Sequence, residues 1–229
     1  MKIPLFDVDG TLVKGFVGVH GNAMNEVFKT VFEIDAKYDE INVQGMIDPQ
    51  ILVEIGKLHG VSEEKGKALL PQAFDVMREY IAKHEHEAEY QILPGVKELF
   101  KKLHESHIPI GLLTGNIEEA PRMKLGPSGL WNFIDFGAYG PEAKSLKRVE
   151  LVGIAQRKAS DFLKHPVGLH QLVVIGDTPK DIQCAKDGKI LSIGVATGIY
   201  NINDLKNAGA DMVISSIEEQ DKILTFLED

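Results

Sequence analysis

Two carboxylates one residue apart stand near the start of the chain, in a spacing that suits metal and phosphate chemistry. Asp7 and Asp9 follow the short apolar run Ile3-Pro4-Leu5 and precede Gly10, which lets the backbone turn. At the end of a strand, residues two apart point to the same side. Hard divalent cations prefer carboxylate oxygens, and Mg²⁺ held by one or two carboxylates keeps room for water and phosphate oxygens. The pair therefore predicts a site for a divalent cation and a phosphate.

Two other arrangements also place acids beside a glycine. A calcium-binding EF-hand loop that began at Asp7 would need a glutamate at its twelfth position, and Gly18 stands there instead. A surface turn with solvated acids stays open as an alternative, because Asp-Gly pairs are common in turns.

Polar residues follow two more apolar runs further along the chain. Thr114-Gly115-Asn116 ends one run, and Asp177 ends another. Asp181 lies four residues beyond Asp177, and Pro179 between them opens a helix, which predicts that both carboxylates lie beside the same cation. The alternatives are a plain turn for Thr114 and, for Asp181, an acid that the helix dipole favours.

Buried strands that alternate with amphipathic helices must position these residues. That alternation predicts an α/β fold, a Rossmann-like doubly wound parallel sheet with helices on both faces. In such folds, ligands bind beyond the carboxyl ends of the strands. Asp7, Thr114 and Asp177 each follow a predicted strand, so we expect these three distant positions to meet at one edge of the sheet.

A stretch of different character follows the first strand. Residues 15–90 are predicted to be all-helical, because their apolar residues recur at helical spacing. The third helix of this stretch is expected to break near Pro71. The chain should therefore divide into a core domain of residues 1–14 plus 91–229 and an inserted helical cap domain of residues 15–90.

Composition limits the partners of the chain. Lys and Arg number 25 against 34 Asp and Glu, which gives a net charge of −9 and argues against a nucleic acid polymer as partner. No window approaches the roughly 20 apolar residues of a membrane span, so no membrane partner is expected. The single cysteine, Cys184, excludes an intramolecular disulfide and favours a cytoplasmic location.

The motifs Asp7-Val8-Asp9-Gly10-Thr11, Thr114-Gly115-Asn116 and Gly176-Asp177-Thr178-Pro179-Lys180-Asp181 occur in an order that resembles the haloacid dehalogenase superfamily. The resemblance covers essentially the whole chain. The helical insert directly after the first motif resembles the type 1 cap of the phosphoglycolate phosphatase and β-phosphoglucomutase branch. Such a cap closes over the site and excludes water.

The resemblance implies roles for the residues of the first two motifs. Asp7 would be the nucleophile that forms an aspartyl-phosphate. Asp9 would protonate the leaving oxygen and then activate water. Thr114, with the backbone of Gly115 and Asn116, would bind the phosphoryl oxygens.

The resemblance also implies a Mg²⁺ cofactor. Asp7, the backbone carbonyl of Asp9 and Asp177 would be its ligands. Asp181 would bind through water or orient the other ligands.

A basic residue is expected before the helix that precedes the last motif. The superfamily usually has a lysine followed by proline, whereas this chain offers Lys144, Lys147 and Arg148 without such a proline. We favour Arg148 as a catalytic and phosphate-binding residue, because it leads straight into that helix. His20, just past the first motif, could face the substrate from the hinge, but we favour its interpretation as an ordinary loop histidine.

The expected function is that of a Mg²⁺-dependent phosphatase that hydrolyses a small phosphorylated metabolite through an aspartyl-phosphate. Asp9 supports this expectation. The resemblance implies that superfamily members with Asp at this position act on phosphate monoesters. One alternative is a phosphotransferase or mutase of the β-phosphoglucomutase type. Another, of a different class, is a non-catalytic phospho-aspartate signalling or binding protein.

Overall fold

The structure, a computed structural model, describes residues 1–14 and 18–228. A parallel sheet of six strands lies at its centre, in the order β5-β4-β1-β6-β7-β8. In chain order these strands are β1 Ile3–Phe6, β4 Gly111–Thr114, β5 Phe136–Tyr139, β6 Leu172–Gly176, β7 Leu191–Val195 and β8 Met212–Ile214. The predicted α/β fold is confirmed.

Helices cover both faces of this sheet, because successive strand residues point to opposite sides. Phe6 and Ile175 belong to an apolar cluster with α4 and α9, whereas Leu5 and Val174 belong to another with α6 and α7. The helices of this part of the chain are α4 Val96–Glu105, α5 Glu119–Leu125, α6 Glu150–Leu163, α7 Pro179–Gly188, α8 Ile202–Ala208 and α9 Gln220–Glu228. The sheet is therefore doubly wound, as predicted.

A helical insert separates β1 from β4. Its helices are α1 Val19–Thr30, α2 Asp48–Leu58 and α3 Glu63–His84, followed by a 3₁₀ turn at Glu85–Glu87. Where the chain leaves for the insert and returns from it, β2 Val13–Lys14 pairs antiparallel with β3 Gln91–Ile92. The expected boundary at residue 15 lies outside the described residues, and the proposed division into two domains stays a prediction.

Local structure differs from expectation at three places. Helix α3 runs unbroken through Pro71, which is exposed, so its ring displaces no packed neighbour while Phe74 and Met77 hold the buried side. The run Phe133-Ile134-Asp135-Phe136 predicts a strand over these four residues, but Leu130–Phe133 form a 3₁₀ turn and β5 begins only at Phe136. Helices α5 and α8 were not predicted, because each has only seven residues, too few for a clear apolar period.

Within the part of the chain that the structure describes, no helix has the length and apolar character needed to cross a membrane.

Candidate active site

Three carboxylates meet at the carboxyl edge of the sheet. Asp7 follows β1, Asp177 follows β6, and Asp181 lies in the first turn of α7. One oxygen from each lies within 4.8 Å of the others, and all three residues are buried. Hard oxygen ligands at this spacing suit a small divalent cation.

Burial sets the electrostatics of this cluster. It raises the pKa of Asp7 to about 7, with Arg148 opposing the shift and Asp181 adding to it. It raises the pKa of Asp177 to about 8, and the neighbouring Asp181 and Asp7 carboxylates add to the shift. Neighbouring buried carboxylates resist ionisation unless positive charge is supplied. The donor set therefore fits a divalent cation, which would supply that charge.

The backbone comes unusually close to Asp177. A side-chain carbon at Gly10 or at Gly198 would overlap the Asp177 carboxylate, and Gly10 also has a positive φ of +81°. The Thr11 hydroxyl donates to Asp177 Oδ1 over 3.1 Å. Asp177 is thus held in one orientation by residues of the first motif.

Arg148 joins the nucleophile candidate to the last motif. Its Nη2 donates to Asp7 Oδ1 at 2.8 Å and to Asp181 Oδ1 at 2.5 Å. Lys144 and Lys147 are exposed, whereas Arg148 is only 9% exposed. Of the three cations considered from the sequence, Arg148 is thus the one that the structure brings to the acids; its catalytic role stays a prediction.

Both carboxylate oxygens of Asp181 accept hydrogen bonds from other residues. Oδ2 accepts from the backbone N–H of Thr178 at 3.0 Å and from its hydroxyl at 2.7 Å, in a capping box that starts α7. Oδ1 accepts from Arg148. These bonds favour an orienting role for Asp181 over a direct metal ligand.

The predicted phosphate loop lies directly under the helical insert. Thr114, at the end of β4, is 1% exposed, and its Oγ1 accepts from the Asn116 N–H at 3.3 Å. Gly115 has no room for a side chain, because a carbon there would overlap the Met46 carbonyl. The Gly115 carbonyl in turn accepts from the Asp48 N–H at 2.8 Å. The insert is therefore seated on the loop that the sequence assigns to the phosphate.

Lys124, in α5, is a site residue that the sequence analysis missed. Its Nζ donates to both oxygens of Asp9, at 2.8 and 2.6 Å, and to Asn116 Oδ1 at 3.0 Å. The Lys124 side chain is fully buried. A charged residue between the apolar Met123 and Leu125 was the one signal available in the sequence.

His20 and Asp48 form a second buried pair, contributed by the insert. His20 Nε2 lies 2.9 Å from Asp48 Oδ2, and the side chains are 2% and 1% exposed. Asp48 Oδ2 also accepts from the Ile117 N–H at 2.8 Å, and His20 Nδ1 lies 3.4 Å from Lys124 Nζ. The interpretation of His20 as an ordinary loop residue is wrong, since it lies buried within α1 and faces the site.

Cavity size alone would not identify this site. A cavity of about 870 Å³ is lined by Pro94, Lys97, Ser128 and Gln220, among others, and by none of the acids described above. The candidate site is identified instead by its buried charges.

The chain is similar to known proteins in sequence and in fold. The family model described as haloacid dehalogenase-like hydrolase matches residues 4–195. The protein named "Probable phosphatase IndB" from Dickeya dadantii (strain 3937) is 24% identical over 222 residues, which cover 94% of this chain and 90% of that protein.

Two solved structures share the fold over almost their whole length. A hydrolase from Pseudomonas syringae aligns with a TM-score of 0.70 and 22% identity over 99% of each chain. A predicted phosphoglycolate phosphatase from Haemophilus somnus 129PT aligns with a TM-score of 0.67 and 17% identity over 97% of each chain. These likenesses establish the shared fold.

Proposed function

Since this chain belongs to the haloacid dehalogenase-like hydrolase family and is an enzyme of that family, we propose that it is a Mg²⁺-dependent phosphatase. It would hydrolyse a small phosphorylated metabolite through an aspartyl-phosphate on Asp7. The observation that carries the proposal is the position of the Asp7 carboxylate, which contacts Arg148 and lies within 4.8 Å of Asp177 and Asp181 at the edge of the sheet. The relative named as a probable phosphatase supports it.

Mg²⁺ would be held by Asp7 and Asp177, with the Asp9 backbone carbonyl as a further ligand and Asp181 as the residue that orients the set. When bound, the cation supplies positive charge that balances the carboxylates and the phosphoryl oxygens.

In the first step of the proposed reaction, an Asp7 oxygen attacks phosphorus and the bond from phosphorus to the leaving oxygen breaks. Asp9 gives its proton to that oxygen. In the second step, water attacks phosphorus, Asp9 takes a proton from it, and the bond from phosphorus to Asp7 breaks. Inorganic phosphate leaves, and Asp7 returns to its carboxylate form.

The donors that would hold the phosphoryl oxygens lie on the same edge of the sheet as Asp7. Thr114, Gly115 and Asn116 lie at the end of β4, next to β1 in the sheet. Arg148 Nη2, 2.8 Å from Asp7 Oδ1, adds a guanidinium donor beside the proposed nucleophile. Preorganised donors of this kind stabilise charge in the transition state.

The proposal is tested by phosphate release from a panel of phosphorylated metabolites, with and without Mg²⁺. We expect release that requires Mg²⁺, and a loss of at least about 10³-fold in kcat for Asp7→Asn, because the amide is a poor nucleophile. Asp187→Asn, an exposed position on α7, is the matched control and should retain wild-type rates. Undiminished release by Asp7→Asn would exclude the mechanism. A phosphorylated Asp7 that releases no phosphate would favour transfer to a second substrate.

A further inference from the structure

We propose that Lys124 is the positioning residue for Asp9: it holds the Asp9 carboxylate in its working orientation, and its contact with His20 of the helical insert steadies it there. This inference rests on the proposed function. Lys124 would then be a second buried cation in the site, with a role separate from that of Arg148.

Lys124 has contacts that packing alone does not require. Its neighbours Met123 and Leu125 are 5% and 0% exposed and belong to two different apolar clusters, so an apolar side chain would suit the position between them. Burying a lysine there costs desolvation energy that only good partners offset. Those partners are both oxygens of Asp9 and Asn116 Oδ1.

Two-point contact restricts rotation of the Asp9 carboxylate. Nζ lies 2.8 Å from one Asp9 oxygen and 2.6 Å from the other, so neither oxygen can turn away without breaking a charge-assisted hydrogen bond. The ammonium also stabilises the carboxylate that forms once Asp9 has passed its proton to the leaving oxygen. Lys124 should therefore matter most when the leaving oxygen needs that proton.

The insert completes the arrangement. An ammonium group has only donors, so His20 Nδ1, 3.4 Å away, faces it as an acceptor, and His20 Nε2 carries the proton donated to Asp48. Asp48 then accepts from the core Ile117 N–H. Ile117 adjoins Asn116, which itself accepts from Lys124.

These contacts close a ring between core and insert. The ring runs from Asn116 through Lys124, His20 and Asp48 to Ile117, and its side chains are 6% exposed or less. If the insert moved away, Lys124 would lose His20 and the ring would open. Through Lys124, the seated insert therefore contributes to the orientation of Asp9.

The test compares leaving groups. kcat/KM is measured for 4-nitrophenyl phosphate, whose leaving group needs no proton, and for the fastest of three alkyl phosphates: 2-phosphoglycolate, glycerol 3-phosphate and glucose 6-phosphate. For Lys124→Met we expect a loss of about 10²-fold or more with the alkyl phosphate, the usual size of general acid catalysis, and less than about tenfold with the aryl phosphate. Equal losses on both substrates would overturn the proposal, because a general disturbance of the fold has no preference for leaving group.

Two further variants keep the result interpretable. Arg122→Met, an exposed position on the same helix, is the matched control and should behave like wild type on both substrates. His20→Phe keeps a planar ring but removes both nitrogens, and leaves Lys124 on Asp9, so it serves if Lys124→Met does not fold. It should show a smaller loss that again falls mainly on the alkyl phosphate. Equal losses here would likewise contradict the link to the insert.

Asp7→Asn should abolish both reactions alike, and its retained activity would count against the proposed function rather than against the role of Lys124.

Discussion

Two buried cations give different surroundings to two chemically identical residues. Arg148 pairs with Asp7 and Asp181, whereas Lys124 pairs with Asp9. Asp7 and Asp9 lie two residues apart and face the same edge of the sheet. Carboxylates in different environments can perform different steps of one reaction. At the scale of single residues, the partners rather than the residue types separate the proposed nucleophile from the proposed acid and base.

The raised pKa values of Asp7 and Asp177 predict how pH affects stability. Without Mg²⁺, the folded protein keeps protons on these carboxyls that the unfolded chain has already released. The free energy of unfolding should therefore fall as pH rises from about 4 to about 8. Mg²⁺ needs the ionised carboxylates, so its stabilising effect should grow over the same range.

Thermal unfolding with and without Mg²⁺ at about pH 6 and about pH 8 measures this difference. The shift in Tm that Mg²⁺ causes should be larger at the higher pH, and Asp177→Asn should reduce it at both. A Mg²⁺ effect that does not change with pH would show that these carboxyls do not titrate in this range.

At the scale of elements, the start of α7 does two things at once. Thr178 is the N-cap of the helix, and its hydroxyl donates to Asp181 Oδ2. The same carboxylate accepts from Arg148 on its other oxygen. A structural cap and the orientation of the acidic cluster therefore depend on the same side chains.

Thr178→Ala should accordingly affect both stability and metal dependence. Loss of the cap should cost about 0.5–2 kcal/mol in the free energy of unfolding, measured by urea denaturation. Because Asp181 loses one of its hydrogen bonds and is oriented less firmly, the Mg²⁺ concentration needed for half-maximal phosphatase activity should rise.

Ser62→Ala is the matched control, since Ser62 is the N-cap of α3 in the insert and accepts from the Lys65 N–H. It should lose stability of a similar order and keep the Mg²⁺ dependence of the wild type. If both variants changed that dependence equally, the cap of α7 would have no special part in the site.

At the scale of the whole molecule, the insert and the core share apolar packing. The apolar cluster of the insert includes Met77 and Ile81 from α3. It also includes Ile117, just before α5, and Ala120 and Met123 within α5. Helix α5 also reaches the other side, where Leu125 packs with the core cluster. Because α5 belongs to both clusters, the two parts should unfold together.

Met77→Ala tests this coupling. Met77 is fully buried in the insert, and the substitution should cost about 2–5 kcal/mol. Trp131, the one tryptophan of the chain, lies in the core, so its fluorescence reports core unfolding, whereas circular dichroism reports the helices of both parts. Both urea midpoints should fall together.

Leu58→Ala, 65% exposed in the same insert, is the control and should change stability by less than about 0.5 kcal/mol. A helical transition that moves to lower urea while the Trp131 transition stays in place would show that the insert unfolds alone.

The sequence by itself determined the fold class, the family, and the placement of Asp7, Thr114 and Asp177 at one edge of the sheet. The reason is local and periodic: buried parallel strands appear as continuous apolar runs, and the residues after them must collect at the carboxyl edge. The motif order then sufficed for the family, which the matching family model confirms.

Only the tertiary structure decided which charges meet. Lys124 lies 115 positions from Asp9 along the chain, in a helix too short to predict, and Arg148 differs from Lys144 and Lys147 chiefly in being buried. The His20–Asp48 pair joins two helices of the insert. A buried ion pair forms where packing brings two side chains together and removes water. Neither condition can be deduced from the residues next to them in the sequence.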